Sequence, residues 1–321
     1  MKAIRIYERG KPNVMYYEDI EDPSIGDDDV LIEISAIGVN FIDTYQRSGL
    51  YQVPLPFTPG SEASGTVLSV GRNVSEVREG DRVAYSGILG AYAEKSVVPA
   101  SRLVLLPSGL DANSCAAALL QGMTAHYLSQ TTYKISSGDT VLIHAGAGGV
   151  GLLLIQMAKL LGARVLTTVS TREKAKLAVE AGADEVIRYT EEDVVGKIME
   201  ITKGLGVQVV YDSVGQQTFD SSLKCLTPRG TLVLFGQSSG MVSAKSPNDL
   251  AAGSYFLTRP RLDDYVRNRD ELLWRAGEVF SSIESGDLKI RIGQSYKLFE
   301  AAKAHEDLEG RKTTGKALLI P

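Results

Sequence analysis

The stretch His144-Ala145-Gly146-Ala147-Gly148-Gly149-Val150-Gly151 decides how the rest of the chain is read. Gly146, Gly148 and Gly151 satisfy G-x-G-x-x-G. Before them, residues 140–144 form an apolar run of strand length. After them, residues 149–161 carry helical spacing and stop at Gly162. Each glycine has a physical task at such a turn: a sharp change of direction, close approach of backbone to a pyrophosphate, and tight packing of helix on strand. The helix start then offers unpaired N–H groups and the positive end of the helix dipole to phosphate oxygens. The stretch therefore predicts a dinucleotide site at Gly146, Gly148, Gly149, Val150 and Gly151.

Working downstream, strands and helices alternate. Residues 164–169 read as a strand and 173–180 as a helix ended by Gly182; 185–187 continue the series, followed by a helix over 194–202. Residues 207–211 and 231–235 are near-continuous apolar runs, as strands buried on both faces must be. Repeated β-α units with short turns predict a doubly wound parallel sheet. Upstream, short strands at 30–34, 63–71, 80–85, 91–98 and 103–106 are separated by turn residues, the spacing of an irregular barrel-like domain. Residues 116–128 switch to helical spacing. Past residue 256 a long helix over 270–285 is followed by mixed elements ending at 317–320, read as a return to the first domain. The expected division is 1–123, 124–258 and 259–321.

The cofactor type is read at the end of the strand after the glycines. A site for an unphosphorylated ribose places an acidic residue there. This chain has Ser170, with Arg172 and Lys174 close behind. A hydroxyl and cations suit a 2′-phosphate, so NADPH is the expected cofactor.

Bulk properties narrow the function further. Among 321 residues, 44% are hydrophobic and 23% charged, a globular balance, and the length suits two domains. A net charge of −5 and the lack of a Lys/Arg-rich stretch argue against nucleic acid or an anionic membrane as partner. No apolar run approaches the roughly 20 residues of a membrane span. Cys115 and Cys225 are far apart in apolar contexts and read as reduced, buried thiols, so a cytoplasmic location is expected. His126, His144 and His305 show no metal-ligand spacing and read as packing or surface residues.

Several further motifs occur in order along the chain. They are residues 38–45 (GVNFIDTY), 47–51 (RSGLY), 59–65 (PGSEASG), 80–83 (GDRV), 90–92 (GAY), the glycine stretch, 210–215 (VYDSVG), 235–236 (FG) and 258–260 (TRP). Together they resemble the medium-chain dehydrogenase/reductase superfamily, and within it the zinc-free quinone oxidoreductase or zeta-crystallin-like group. The similarity runs essentially the whole chain. It implies an α/β protein in which a Rossmann domain accompanies a GroES-like β-rich catalytic domain. It also implies an oxidoreductase that forms homodimers by joining Rossmann sheets through a late strand such as 255–257.

Alcohol dehydrogenases of the superfamily hold a catalytic zinc with thiolate, imidazole or carboxylate ligands. At the corresponding places this chain looks to have Asn40, Ser61 and Gln121, and its two cysteines cannot build a four-cysteine structural zinc lobe. No metal is expected. Without a Lewis acid the acceptor must be intrinsically electrophilic, a quinone or a conjugated double bond.

By resemblance, Asn40, Tyr45, Tyr51 and Gln121 border the acceptor, with Tyr45 and Tyr51 as stacking surfaces. The related proteins commonly carry a lysine where this chain has Gln121. Phe41, Asp43, Thr124 and Tyr127 are expected at the nicotinamide end, Asp43 orienting a ribose hydroxyl rather than serving as an acid. Ser170, Lys174 and Arg311 are expected at the adenosine end, with Tyr189, Ser213, Phe235, Ser238, Ser239, Gly240, Leu257 and Arg259 after later strands. No nucleophile or acid pair stands out. The leading expectation is NADPH-dependent quinone reduction, with the one- or two-electron outcome left open. The alternatives are reduction of enones or alkenals across the double bond, and a non-catalytic NADPH- or RNA-binding crystallin-like role.

Overall fold

The computed structural model describes residues 1–321, which divide into two compact units: 1–123 with 266–321, and 124–265. Residues 259–265, assigned from sequence to the returning segment, thus belong to the second unit.

The first unit begins with a β-hairpin-like pair, β1 (Lys2–Ile6) and β2 (Met15–Asp19), matched antiparallel. Strand β3 (Asp29–Val39) follows, burying Val30, Ile32, Ile34 and Ala36 in alternation. From Ala36 to Val39 both faces are buried. Helix α1 (Phe41–Ser48), not expected from the sequence, starts at Asn40 and is ended by Gly49 at φ +84, a left-handed conformation that glycine adopts without strain. Then come β4 (Glu62–Val70), β5 (Arg82–Ser86), β6 (Lys95–Pro99) and β7 (Val104–Leu105). The strand expected over 91–98 is shorter than predicted: Ala93 only bridges to Ala3, and the ladder with β3 begins at Lys95.

Helix α2 (Ala112–Tyr127) carries the chain into the second unit. There β8 (Thr140–Ile143), α3 (Gly149–Leu160), β9 (Arg164–Val169), α4 (Arg172–Glu180), β10 (Glu185–Arg188), α5 (Val194–Ile201), β11 (Val207–Asp212), α6 (Phe219–Lys224), β12 (Leu226–Leu234) and β13 (Phe256–Thr258) form one sheet with its helices. Its order is β10-β9-β8-β11-β12-β13, every pair parallel. Such strands are buried on both faces, which is why Val141, Leu142, Ile143, Val165, Leu166, Val209 and Val210 run without polar alternation. The order reverses between β8 and β11, the switch point where open α/β sheets accept ligands beyond their carboxyl ends.

A short helix, α7 (Leu262–Tyr265), closes that unit; α8 (Arg269–Glu284), β14 (Ile292–Lys297), α9 (Ala301–Glu309) and β15 (Lys316–Ile320) complete the first. The first unit's main sheet runs β14-β15-β3-β4-β5-β7, with β6 also on β3. Ile32, Ile37, Val67, Val83, Val98 and Leu319 lie in its core. No helix is long and apolar enough to cross a membrane.

Candidate active site

In the second unit, the expected cofactor residues gather at the carboxyl end of the sheet. The turn between β8 and α3 treats its glycines differently. A Cβ on Gly146 would lie 2.0 Å from Thr167 Oγ1, and one on Gly151 would lie 2.4 Å from the Ala145 carbonyl oxygen. A Cβ on Gly148 would meet only the Ala145 carbonyl, at 3.2 Å. Two glycines are therefore demanded by packing, while the middle one leaves open space. Ala145 takes φ +56, a conformation L-residues avoid. Helix α3 has no side-chain cap at Gly148, whereas α4, α5 and α8 are capped by Thr171, Asp193 and Asn268. The first N–H groups of α3 are thus left as donors.

A buried polar relay braces this turn. Asp212, at the end of β11, accepts from Val214 N, Gly215 N, Thr218 Oγ1 and Ser222 Oγ. Ser222 lies 3.0 Å from His144 Nε2, and His144 Nδ1 lies 2.9 Å from Thr168 Oγ1. Since Ser222 spends its proton on Asp212, His144 donates from Nε2 and accepts at Nδ1. Burial lowers the His144 pKa, partly opposed by Asp212, so the ring is neutral.

Ser170 follows β9 and Tyr189 follows β10. Their loops are joined by Tyr189 N to Val169 O at 3.2 Å and Thr190 Oγ1 to Ser170 O at 3.0 Å. Lys174 lies in the first turn of α4, with its backbone N–H in the Thr171 cap. Nearby, Arg172, Lys176, Glu180 and Arg188 line a shallow groove with Ala175 and Val179. Ser213 and the 235–240 loop are cross-linked: Ser238 N donates to Ser213 O, and Ser239 Oγ donates to Val214 O at 2.7 Å. Phe235, Ser239 and Gly240 are half-buried there. Leu257 and Arg259, on and after edge strand β13, are exposed. Thr124 and Tyr127 are buried, and the Tyr127 ring stacks 4.2 Å from that of Tyr265.

In the first unit, two of the acceptor candidates, Asn40 and Gln121, belong to a polar cluster with Glu62 and Lys316, which the sequence does not single out. Phe41, Tyr45 and Tyr51 form a run of rings, with centroids 6.1 Å and 5.3 Å apart. Asn40 is 4% exposed, and its amide is fully engaged. Oδ1 accepts from Lys316 Nζ at 2.8 Å and Gln121 Nε2 at 3.4 Å; Nδ2 donates to Gly38 O and Glu62 Oε2. Glu62 also accepts from Lys316 Nζ and from Leu120 N. Lys316 and Glu62 form a buried ion pair in which every oxygen finds a donor. The Asn40 amide is thus held in one orientation, with Gln121 half-buried beside it. Arg311 lies just beyond α9, exposed, at φ +58.

Asp43, expected to orient a ribose hydroxyl, is instead fully buried, with both oxygens taken by its own unit. Oδ2 accepts from Asn40 N at 2.8 Å and Tyr92 Oη at 3.0 Å; Oδ1 accepts from Ser61 Oγ at 3.3 Å. Burial pushes its carboxyl up to about 7, against the pull of these donors and of Lys316. Tyr92 Oη lies 2.9 Å from His305 Nε2, and His305 Nδ1 lies 3.1 Å from Arg47 Nη1. Arg47 Nη2 pairs with Glu309 at 2.7 Å. A buried histidine in an alanine-rich helix and charged residues at the ends of apolar strands were the available sequence signals for this cluster. No three His, Cys, Asp or Glu side chains come together to form a metal site.

Comparison with known proteins matches this geometry. Residues 26–108 match the alcohol dehydrogenase GroES-like domain and residues 149–259 the zinc-binding dehydrogenase family. The latter segment contains no histidine here and a single cysteine, Cys225. A quinone oxidoreductase of Pseudomonas aeruginosa is 46% identical over 100% of this chain and 99% of its own length. The structure of Escherichia coli quinone oxidoreductase complexed with NADPH is 44% identical, with TM-score 0.98 and 100% of both chains covered. A 2-haloacrylate reductase from Burkholderia is 40% identical over 99% of this chain and 98% of its own. Full-length similarity at this level, on a Rossmann sheet and a GroES-like unit, places this chain in the quinone oxidoreductase family of the medium-chain dehydrogenases/reductases.

Proposed function

We propose that this chain is an NADPH-dependent quinone oxidoreductase that works without zinc. The observation that carries the cofactor reading is the uncapped start of α3 behind an open Gly148, followed at the next strand end by Ser170 and Lys174 where an acidic residue would mark NADH. In this reading Gly148, Gly149 and Val150 hold the pyrophosphate. Ser170 and Lys174 take the adenosine 2′-phosphate, and the strand ends at Tyr189, Ser213, Phe235–Gly240 and Leu257–Arg259 line the rest. When bound, NADPH supplies the reducing equivalents.

The acceptor is assigned to Tyr45, Tyr51 and Gln121, with Phe41 beside them. Asn40, Ser61 and Gln121 offer two amides and a hydroxyl, a poor donor set for zinc, which prefers thiolate, imidazole or carboxylate. The acceptor must then be electrophilic by itself, as a quinone is. The likeness to a 2-haloacrylate reductase favours activated alkenes as a second acceptor class.

The exposed Phe256 and Leu257 on edge strand β13 support a homodimer joined sheet to sheet. Cys115 and Cys225 are buried and unpaired, with thiols pushed up to about 12 by burial, in keeping with a cytoplasmic protein.

The test is NADPH and NADH oxidation with 1,4-benzoquinone on chelator-treated protein, beside a Lys174→Ala variant and a panel of enones and haloacrylates. Turnover that survives chelation, prefers NADPH, and loses that preference in Lys174→Ala supports the reading. Loss of one charged contact predicts a roughly ten- to hundredfold rise in KM for NADPH alone. NADPH binding with turnover of alkenes but no quinone would replace the assigned acceptor.

A further inference from the structure

We propose that Asp43 supplies the proton that completes acceptor reduction, passing it through the Ser61 hydroxyl, and that Tyr92, His305 and Arg47 are positioning residues that hold it for this task. The proposal rests on the quinone reductase reading and names a proton path for it.

The direction of every bond in the chain is determined. A guanidinium can only donate, so Arg47 Nη1 makes His305 Nδ1 an acceptor. The proton of the neutral ring then sits on Nε2 and points at Tyr92 Oη. Tyr92 in turn spends its proton on Asp43 Oδ2, which already receives Asn40 N–H. With two donors on Oδ2, a proton on the carboxyl must sit on Oδ1, whose one partner is Ser61 Oγ at 3.3 Å. That proton inverts the Ser61 bond: Oδ1–H donates to Ser61 Oγ, and the Ser61 hydroxyl turns its own proton away from Asp43. Ser61 is 4% exposed and makes no other side-chain hydrogen bond, so the turned hydroxyl is the group through which the proposed proton passes. It stands in the same polar cluster as Asn40 and Gln121.

The charged and titratable groups around Asp43 are Arg47 on its own helix, Glu62 on β4, Lys316 on β15, His305 and Glu309 on α9, and Tyr92 ahead of β6. Burial and Arg47 push the His305 pKa down to about 3, so the ring stays neutral. Burial and Asp43 hold Tyr92 well above its usual range, so it stays protonated. Of these three hydrogen-bonded groups, only Asp43, at about 7, changes state near neutral pH.

The balance is simple. Two-electron reduction by NADPH brings a hydride, and quinol formation needs one further proton. The acceptor oxygen takes the Ser61 proton as Ser61 Oγ takes the Asp43 proton. Asp43 is left as a carboxylate facing three donors, and a proton from water restores it: NADPH + quinone + H⁺ gives NADP⁺ + quinol.

The experiment is the pH profile of kcat with 1,4-benzoquinone at saturating NADPH for wild type, Asp43→Asn, Ser61→Ala and Tyr92→Phe, together with ¹³C NMR titration of labelled aspartate in protein free of NADPH. We expect wild-type kcat to fall as pH rises through about 7. Asp43→Asn and Ser61→Ala should lose that step and roughly tenfold or more in kcat at low pH, with KM for NADPH little changed. Tyr92→Phe should move both the kinetic and the NMR midpoint upward, because the carboxylate loses a donor, a shift that a purely structural role does not produce. A step that survives in Asp43→Asn, or an Asp43 midpoint below about 5, overturns the proton path alone. Wild type with no quinone turnover at any pH overturns the functional reading, and the donor role with it.

Discussion

Lys316 Nζ lies 2.8 Å from Asn40 Oδ1, a contact that ties the last strand to the start of α1 across 276 positions of sequence. It fixes which way the Asn40 amide faces. With Oδ1 held by Lys316, Nδ2 is committed to Gly38 O and Glu62 Oε2.

Lys316→Met should therefore be strongly destabilising, because it leaves Glu62 buried without its cation. Breaking one partner of a buried pair costs about 3–5 kcal/mol, while replacing both partners costs less. Urea unfolding of Lys316→Met and of the Lys316→Met/Glu62→Gln double variant checks this. A double variant no more stable than the single one would show that Glu62 is not the source of the cost.

The stability of the fold should depend on Asp43 through pH. Its folded pKa of about 7 lies above its ordinary value of 3.8. The folded state therefore holds a proton that the unfolded state has released between those values. The contribution is fully present below pH 3.8 and is lost as pH rises through about 7. At roughly 1.4 kcal/mol per unit the whole effect is about 4 kcal/mol. Thermal unfolding across this window should show wild type losing stability relative to Asp43→Asn as pH rises; parallel curves would mean that Asp43 is ionised throughout.

The three glycines of the β8–α3 turn should separate by experiment. Gly146→Ala and Gly151→Ala drive a methyl into Thr167 and into the Ala145 carbonyl, so each should lower stability by about 1–3 kcal/mol. Gly148→Ala meets little of the protein and keeps an ordinary extended backbone, φ −77 and ψ 170. It should melt close to wild type while weakening NADPH binding. Calorimetric melting beside NADPH titration distinguishes the cases, and equal losses of stability in all three would refute the assignment of open space at Gly148.

Edge pairing through β13 is tested by charge. Phe256→Lys should convert a dimer to a monomer by light scattering with little change in NADPH affinity, since a charge facing a charge across a strand edge opposes pairing. A wild-type monomer would remove the sheet-to-sheet dimer.

The Rossmann unit was legible because its signals are local. A parallel strand buried on both faces must be a short apolar run, as at Val209 to Tyr211, and the turn into α3 must carry small residues, as at Gly146 and Gly151. Helix α1 was not legible. Its eight residues, FIDTYQRS, are few, and they bury Asp43, Thr44 and Arg47 beside Tyr45; it is held by the return of Asp43 to Asn40 N and by the left-handed Gly49.

Ser170, Tyr189, Ser213 and Phe235 are legible as strand ends, and the parallel topology sets all four at the carboxyl end of one sheet. The sequence by itself determined the alternation of elements and the nucleotide turn. Only the tertiary structure decided that Asp43 and the Asn40 amide face inward, and that His305 meets Arg47 across 258 positions. Burial and hydrogen-bond direction depend on which distant residues the fold brings together, and no local pattern in the chain records that.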